Sequence, residues 1–278
     1  NLTLEEFIDT GLADLFSGKA LSPKFDAKKE SQGSMPRLQR TDRLAPNGKR
    51  SNLNDEQYDI VRTPEFKNWF GDWETDPENA SKVVDENGEP MVTYHGTSDN
   101  FDEFLYGDKL SEEYEKLGYY TGYNNQFGTH FGDIETAEVF SKKYDGMIMP
   151  VFLNIKNPLE TPDLGSWESS KILRHLRDKN KWDVDYKAVR EDKKSGSQVL
   201  NEELSKKGVD GFVYKNYIEG GGVNSYIIIE SKQAKLADGS NTTFDPSKPS
   251  IRFSISDDIG KYIKQARAQG MSEGAIKV

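Results

Sequence analysis

The chain has 278 residues, with 37 Lys and Arg against 47 Asp and Glu, a formal net charge of −10. It has no cysteine and only three histidines, which excludes thiolate zinc sites, disulfide scaffolds and cysteine nucleophiles. A pI near 5.0 and a mean hydropathy of −0.80 argue against strong nucleic-acid binding, which needs many phosphate-neutralising cations, and no apolar run reaches the ~18 residues of a membrane span.

The chain begins at Asn1 with no basic segment leading into an apolar one, so no secretory signal is visible, and it is expected to be a piece of something longer. Leu4, Phe7, Ile8, Leu12 and Leu15 fall near helical spacing, which predicts a short amphipathic helix over 1–16, capped by Asn1 or Thr3. Residues 17–62 differ in texture. Only 12 of these 46 residues are apolar, and ten basic residues stand against six acidic ones. Such a stretch buries too little surface to offset its ordering entropy. We read 17–54 as a flexible linker, the alternative being an extended arm on the following domain.

From residue 55 the pattern is that of a folded domain. Thr63-Pro64 is a helix-start signal, and Phe66, Trp69, Phe70 and Trp73 give the helix an aromatic face, read as a core plug rather than a ligand site. Val83-Val84 and Met91 to His95 read as strands around an Asn87-Gly88 hairpin turn. Residues 100–125, polar and rich in Tyr and Gly, read as a long loop or lid with a helix near 111–117. Phe127 to Asp133 is a short strand running into a helix capped by Asp133, with Ile134, Ala137, Phe140 and Tyr144 as its buried stripe. A strand over Met147–Ile155 ends at Asn157-Pro158. Helices follow over 168–179 and 197–207, the second stopped by Gly208. Strands over 211–214 and 225–229 form a loose hairpin around Gly220-Gly221-Gly222. Residues 239–254 read as extended, and Asp257 to Gln269 as a last helix. This order predicts an α+β domain over 55–254 and a truncated helical extension over 255–278. We find no internal repeat.

No P-loop, GxGxxG, HExxH or GxSxG is present. Two of the three histidines instead lie in short glycine-bearing motifs beside strands: Tyr94-His95-Gly96-Thr97-Ser98 and Gly128-Thr129-His130-Phe131-Gly132-Asp133. The third, His175, lies in a charged helix and reads as surface.

This ordered set resembles the ADP-ribosyltransferase fold of the diphtheria-toxin and poly(ADP-ribose)-polymerase type. Within it, the chain is most similar to the ADP-ribosyltransferase domain of phage and mobile-element polyvalent proteins. Further likenesses are Phe66 to Trp73, Asp210 to Tyr214 and Thr243 to Ser254. The resemblance implies split antiparallel β-sheets with flanking helices. It also implies an enzyme that takes NAD+ as co-substrate, without a metal, and transfers single ADP-ribose units to a macromolecule of a host or competitor. The expected setting is the cytoplasm of a bacterial host, reached with phage or plasmid DNA in a toxin-like role.

Carried over by position, His95 would hold a ribose hydroxyl and Gly96 would offer its backbone N–H and C=O to the nicotinamide carboxamide. Thr97 and Phe131 would complete the cofactor wall. Phe140 would stack on nicotinamide, with Tyr144 as the local alternative. His130 stands where the family usually has Tyr. The family's catalytic Glu falls at Ser225, and this departure leaves two candidates, Ser225 itself and Glu219 at the glycine-rich turn, with Glu230 more remote. Two other readings stay open: a degenerate NAD-binding or interaction module of a larger polyvalent protein, and an RNA 2′-phosphotransferase-like enzyme, which the acidic balance disfavours.

Overall fold

The computed structural model describes residues 43–98, 101–107, 110, 112, 126–143, 146–191, 193–241 and 243–252. The helices expected over 1–16 and 257–269, most of the span expected to hold a helix near 111–117, and Tyr144 lie outside these residues.

Two short helices come first, α1 (Asp55–Ile60) and α2 (Pro64–Phe70). Asn54 and Gln57 close a capping box on α1, and the Thr63 hydroxyl caps α2 with Pro64 in its first turn, where a missing N–H costs nothing. Then come β1 (Thr93–Thr97), β2 (Thr129–Phe131), α3 (Ile134–Lys143), β3 (Met147–Leu153) and β4 (Pro158–Thr161). The chain continues through α4 (Ser169–Asp178), α5 (Tyr186–Arg190), α6 (Gly196–Lys206), β5 (Gly211–Asn216), β6 (Val223–Ile228) and β7 (Ala234–Leu236).

The strands form two sheets, β1-β3-β7 and β2-β6-β5-β4. All pairs are antiparallel except β4 with β5. This is the expected α+β architecture of split sheets with flanking helices. Side-chain alternation explains the layering. Met149, Val151 and Leu153 of β3 meet Phe131, Tyr226 and Ile228 of the other sheet in a core between the two. Ile227 of β6 points the other way, into a second core with Ile172, Leu173 and Leu176 of α4 and Leu200 and Leu204 of α6. The second half of β6, Tyr226–Ile228, is thus buried on both faces, which is why it reads as an apolar run. Phe152 of β3 faces a third core, where α2 brings Phe66, Trp69 and Phe70 against Phe244 and Ala237. The aromatic face of α2 is the core plug that its spacing predicted.

Four expectations change in detail. The hairpin over Val83–His95 shrinks to a single Val84–Pro90 bridge around Gly88 at φ 81°, and the following strand starts only at Thr93. Strand β4 begins at Pro158, where a terminator was expected; Pro158 is tolerated because β4 is a sheet edge. Of the stripe expected on α3, Ala137 is buried, but Ile134 and Phe140 are 46% and 42% exposed, and Thr136 and Ser141 are buried in their place. The helix lies so close to β1 that a Cβ on Gly96 would stand 2.1 Å from the Ala137 carbonyl oxygen, so only small side chains fit between them. Residues 43–54, the end of the span expected as linker, are tied to the domain. Arg43 pairs with Asp59, Asn47 donates to Asn87, and Asn52 donates to Asp85 and Glu86.

Among the described residues no helix is long and apolar enough to cross a membrane. Phe66 has no exposed surface and its ring centroid lies 5.0–5.7 Å from those of Trp69, Phe70, Phe152 and Phe244. Phe66→Ala is therefore expected to destabilise the domain by about 3–5 kcal/mol, read from urea unfolding monitored by tryptophan fluorescence.

Candidate active site

Besides the packing of their faces, the two sheets are joined through their backbones by an antiparallel bridge between Tyr94 and Gly132. Tyr94 N–H donates to the Gly132 carbonyl at 2.9 Å, and Gly132 N–H returns the bond at 3.1 Å. Backbone groups of an antiparallel strand alternate between its two edges. Tyr94 turns its backbone groups away from β3 to Gly132, so Gly96, two residues on, directs its N–H and C=O to the same edge. There the sheets have diverged, and Gly96 has no backbone partner among the described residues. Its missing side chain faces α3 rather than this edge, so close helix packing by itself requires glycine at this position.

A cleft of about 950 Å³ opens beside that edge, at the upper end of the ~300–1,000 Å³ usual for small-ligand sites. His95, Gly96, Thr97, His130, Phe131, Phe140, Glu219 and Ser225 all line it. Residues of every element expected to contribute therefore meet in one place. Phe131 is also a core residue, whereas Phe140 stands half-exposed on the rim, available to a ligand. Glu230 does not line the cleft; it is exposed and paired with Lys232 at 2.7 Å. His175 lies elsewhere on α4.

Two aromatic walls face the cleft. His95 sits among Phe101, Phe104 and Phe131, at centroid distances of 5.1–6.3 Å. His130, one residue before Phe131 and hence on the opposite face of β2, sits against Trp167 and Tyr214 at 5.7 and 6.2 Å. Sequence reading missed Trp167, Tyr214 and Asn216. Trp167 follows a loop with no motif, whereas Tyr214 and Asn216 alternate along β5 with Phe212 and so carried a signal.

The histidines are chemically defined. His95 Nδ1 lies 2.8 Å from the His130 carbonyl oxygen. A carbonyl only accepts, so Nδ1 carries the proton and Nε2 of the neutral ring is an acceptor. Burial pushes the pKa of His95 down. Burial, together with the nearby His95, pushes that of His130 down to about 4. Both rings are thus neutral at pH 7. His130 Nε2 is buried without a partner, and Nδ1 lies 3.3 Å from the Tyr214 hydroxyl.

The two candidates for the catalytic-Glu role differ sharply. Ser225 is buried, and its Oγ accepts from Asn216 Nδ2 at 3.3 Å. Glu219 is exposed at the glycine-rich turn, and its backbone N–H donates to Asn216 Oδ1 at 2.9 Å. No lysine or arginine lines the cleft among the described residues, and no cluster there could hold a metal ion.

Split antiparallel sheets with a cleft at their divergence are the fold class expected of an ADP-ribosyltransferase. The sequence matches the family described as ADP-ribosyltransferase in polyvalent proteins over residues 85–244. That is more than half of the chain, and the chain belongs to this family. No curated protein and no solved structure matches it significantly.

The neutral histidines have a thermodynamic consequence. Unfolded His130 titrates near 6.5 and folded His130 near 4. Between these values the unfolded chain binds a proton that the fold refuses, so stability is complete above about pH 6.5 and is lost as pH falls toward 4. The loss from this residue is about 2–3 kcal/mol. Urea midpoints measured from pH 7 to 4.5 should fall in the wild type and fall less in His130→Gln.

Proposed function

We propose that the domain is an NAD-dependent mono-ADP-ribosyltransferase that cleaves the nicotinamide–ribose bond and transfers ADP-ribose to a macromolecular acceptor. The observation that carries this reading is the convergence of His95, the unpaired Gly96 edge, two aromatic walls and Glu219 on one cleft. The unpaired Gly96 N–H and C=O match the acceptor and donor of a carboxamide. The acceptor Nε2 of His95 suits a ribose hydroxyl. Phe140 on the rim offers a face to the nicotinamide ring.

Cleavage leaves the bonding electron pair on nicotinamide and positive charge on the ribose. Neutral imidazoles do not oppose that charge, and the Glu219 carboxylate stabilises it across a cleft with aromatic walls. The acceptor nucleophile then bonds the ribose carbon and loses its proton. Glu219 takes the carboxylate role because it faces the cleft from an exposed turn, whereas Ser225 is buried and already hydrogen-bonded. A cleft without lysine or arginine among its described residues disfavours the RNA 2′-phosphotransferase reading, whose substrate carries many phosphates.

Incubation with NAD+ should release nicotinamide, and with a bacterial lysate should label a macromolecule with ADP-ribose. His95→Ala should abolish both. Glu219→Gln should lower turnover about 10²–10³-fold, the cost of losing one transition-state charge stabiliser, while Ser225→Ala should cost far less. The reverse order would assign the role to Ser225. Absence of both NAD+ binding by calorimetry and nicotinamide release would leave an interaction module.

A further inference from the structure

Beyond the end of the β4–β5 ladder, one carboxylate joins two segments that both face the cleft. The ladder stops with Thr161 opposite Tyr214, and Asp163 stands two residues further along. Its Oδ1 accepts the Gly165 N–H at 2.9 Å and its Oδ2 accepts the Tyr217 N–H at 3.1 Å. The first bond closes a short turn inside the loop that leads to Trp167, with Gly165 at φ 67°. The second leaves that loop and takes hold of the first residue after β5. Packing follows the same path: a Cβ on Gly165 would lie 3.3 Å from Ile218 Cδ1.

The turn that carries Glu219 also has bonds of its own. Asn216 Oδ1 accepts from the Glu219 N–H at 2.9 Å, the Asn216 carbonyl accepts from the Gly222 N–H at 2.5 Å, and the Gly220 carbonyl accepts from the Val223 N–H at 3.2 Å. Both partners of each bond lie within 216–223, so these bonds fix the shape of the turn rather than its place against the cleft. Gly221 and Gly222 have φ of 60° and 91°, and glycine backbone resists reorientation least. Asp163 reaches the turn from a different element, and that element is itself anchored. The Trp167 carbonyl accepts from the Phe127 N–H at 2.8 Å, the Trp167 N–H donates to Gln126 Oε1 at 2.8 Å, and the Trp167 ring lies 4.5 Å from that of Tyr214.

We propose that Asp163 is the positioning residue for Glu219: its carboxylate fastens the glycine-rich turn to the anchored Trp167 loop and so sets where the Glu219 carboxylate stands in the cleft. A carboxylate suits this task because each oxygen takes one N–H. Asparagine keeps one acceptor and turns a donor toward the other N–H. A serine hydroxyl can close the Gly165 turn but has no second oxygen for Tyr217. The consequence for turnover rests on the NAD-cleavage reading; the clamp itself does not.

Amide hydrogen exchange, resolved by residue in ¹⁵N-labelled protein at pH 7, tests the clamp without any substrate. The Tyr217 amide should be protected in the wild type. In Asp163→Asn and Asp163→Ser it should exchange about tenfold or more faster, the worth of a hydrogen bond to a charged group, while the Gly222 and Ile227 amides keep their protection. An unprotected Tyr217 amide in the wild type overturns the proposal, as does protection lost along β5 and β6 in both variants, which would make Asp163 a residue of the fold. In nicotinamide release, Asp163→Asn should lower kcat about tenfold and leave the KM for NAD+ unchanged, as for an interaction made in the transition state. Added to Glu219→Gln, the same substitution should cost less than about twofold, because the group it positions is gone. A full tenfold loss in that background means that Asp163 acts by itself, and it overturns the positioning role. A wild type that releases no nicotinamide defeats the NAD reading, while exchange at Tyr217 still decides whether Asp163 holds the turn.

Discussion

The structure turns on a backbone bridge between two sheets that otherwise meet through side-chain packing. Tyr94 and Gly132 exchange two backbone hydrogen bonds and the ladder goes no further. A continuous sheet would have used the Gly96 N–H and C=O for pairing, and no cleft would open there. The contact also leaves little room at the crossing: a Cβ on Gly132 would lie 3.0 Å from Thr136 Cβ and 3.3 Å from Ser225 Oγ, so these neighbours would have to give way by a few tenths of an ångström. Divergence of the sheets leaves open the polar edge that a ligand can use, at the cost of leaving backbone groups unpaired.

The cleft achieves its polarity without formal positive charge. Both of its histidines are neutral, and beside them the Asn216 amide donates to Ser225 Oγ. Its carboxylates include Glu219 and Asp163. The latter ties the loop after β4 to the start of the glycine-rich turn through the Gly165 and Tyr217 N–H groups. Such a lining suits a ligand on which positive charge develops and is poorly matched to a polyanion. The acidity of the whole chain is therefore repeated on the wall where chemistry would occur.

Much of the fold was legible in the sequence, because it rests on local rules. The Thr63 and Asp133 caps, the Gly208 stop and the aromatic spacing of α2 all act within a few residues, and each appears where its signal stood. The strands of β3, β5 and β6 were readable for the same reason. Illegible were features that depend on a distant partner. Strand β4 exists only because β5 lies beside it. The face that α3 buries is set by how closely Gly96 allows it to approach, a distance no helical periodicity contains.

The sequence by itself therefore determined the elements, their order and the two glycine-bearing histidine motifs, since these follow from local propensity and spacing. It also left the choice between Ser225 and Glu219 open, because both lie near the same turn. Tertiary structure alone decided that Glu219 is exposed and Ser225 buried, that Trp167, Tyr214 and Asn216 join the cleft, and which nitrogen of His95 carries the proton. The physical reason is that burial and hydrogen-bond direction belong to pairs of residues far apart in the chain, and only packing brings those pairs together.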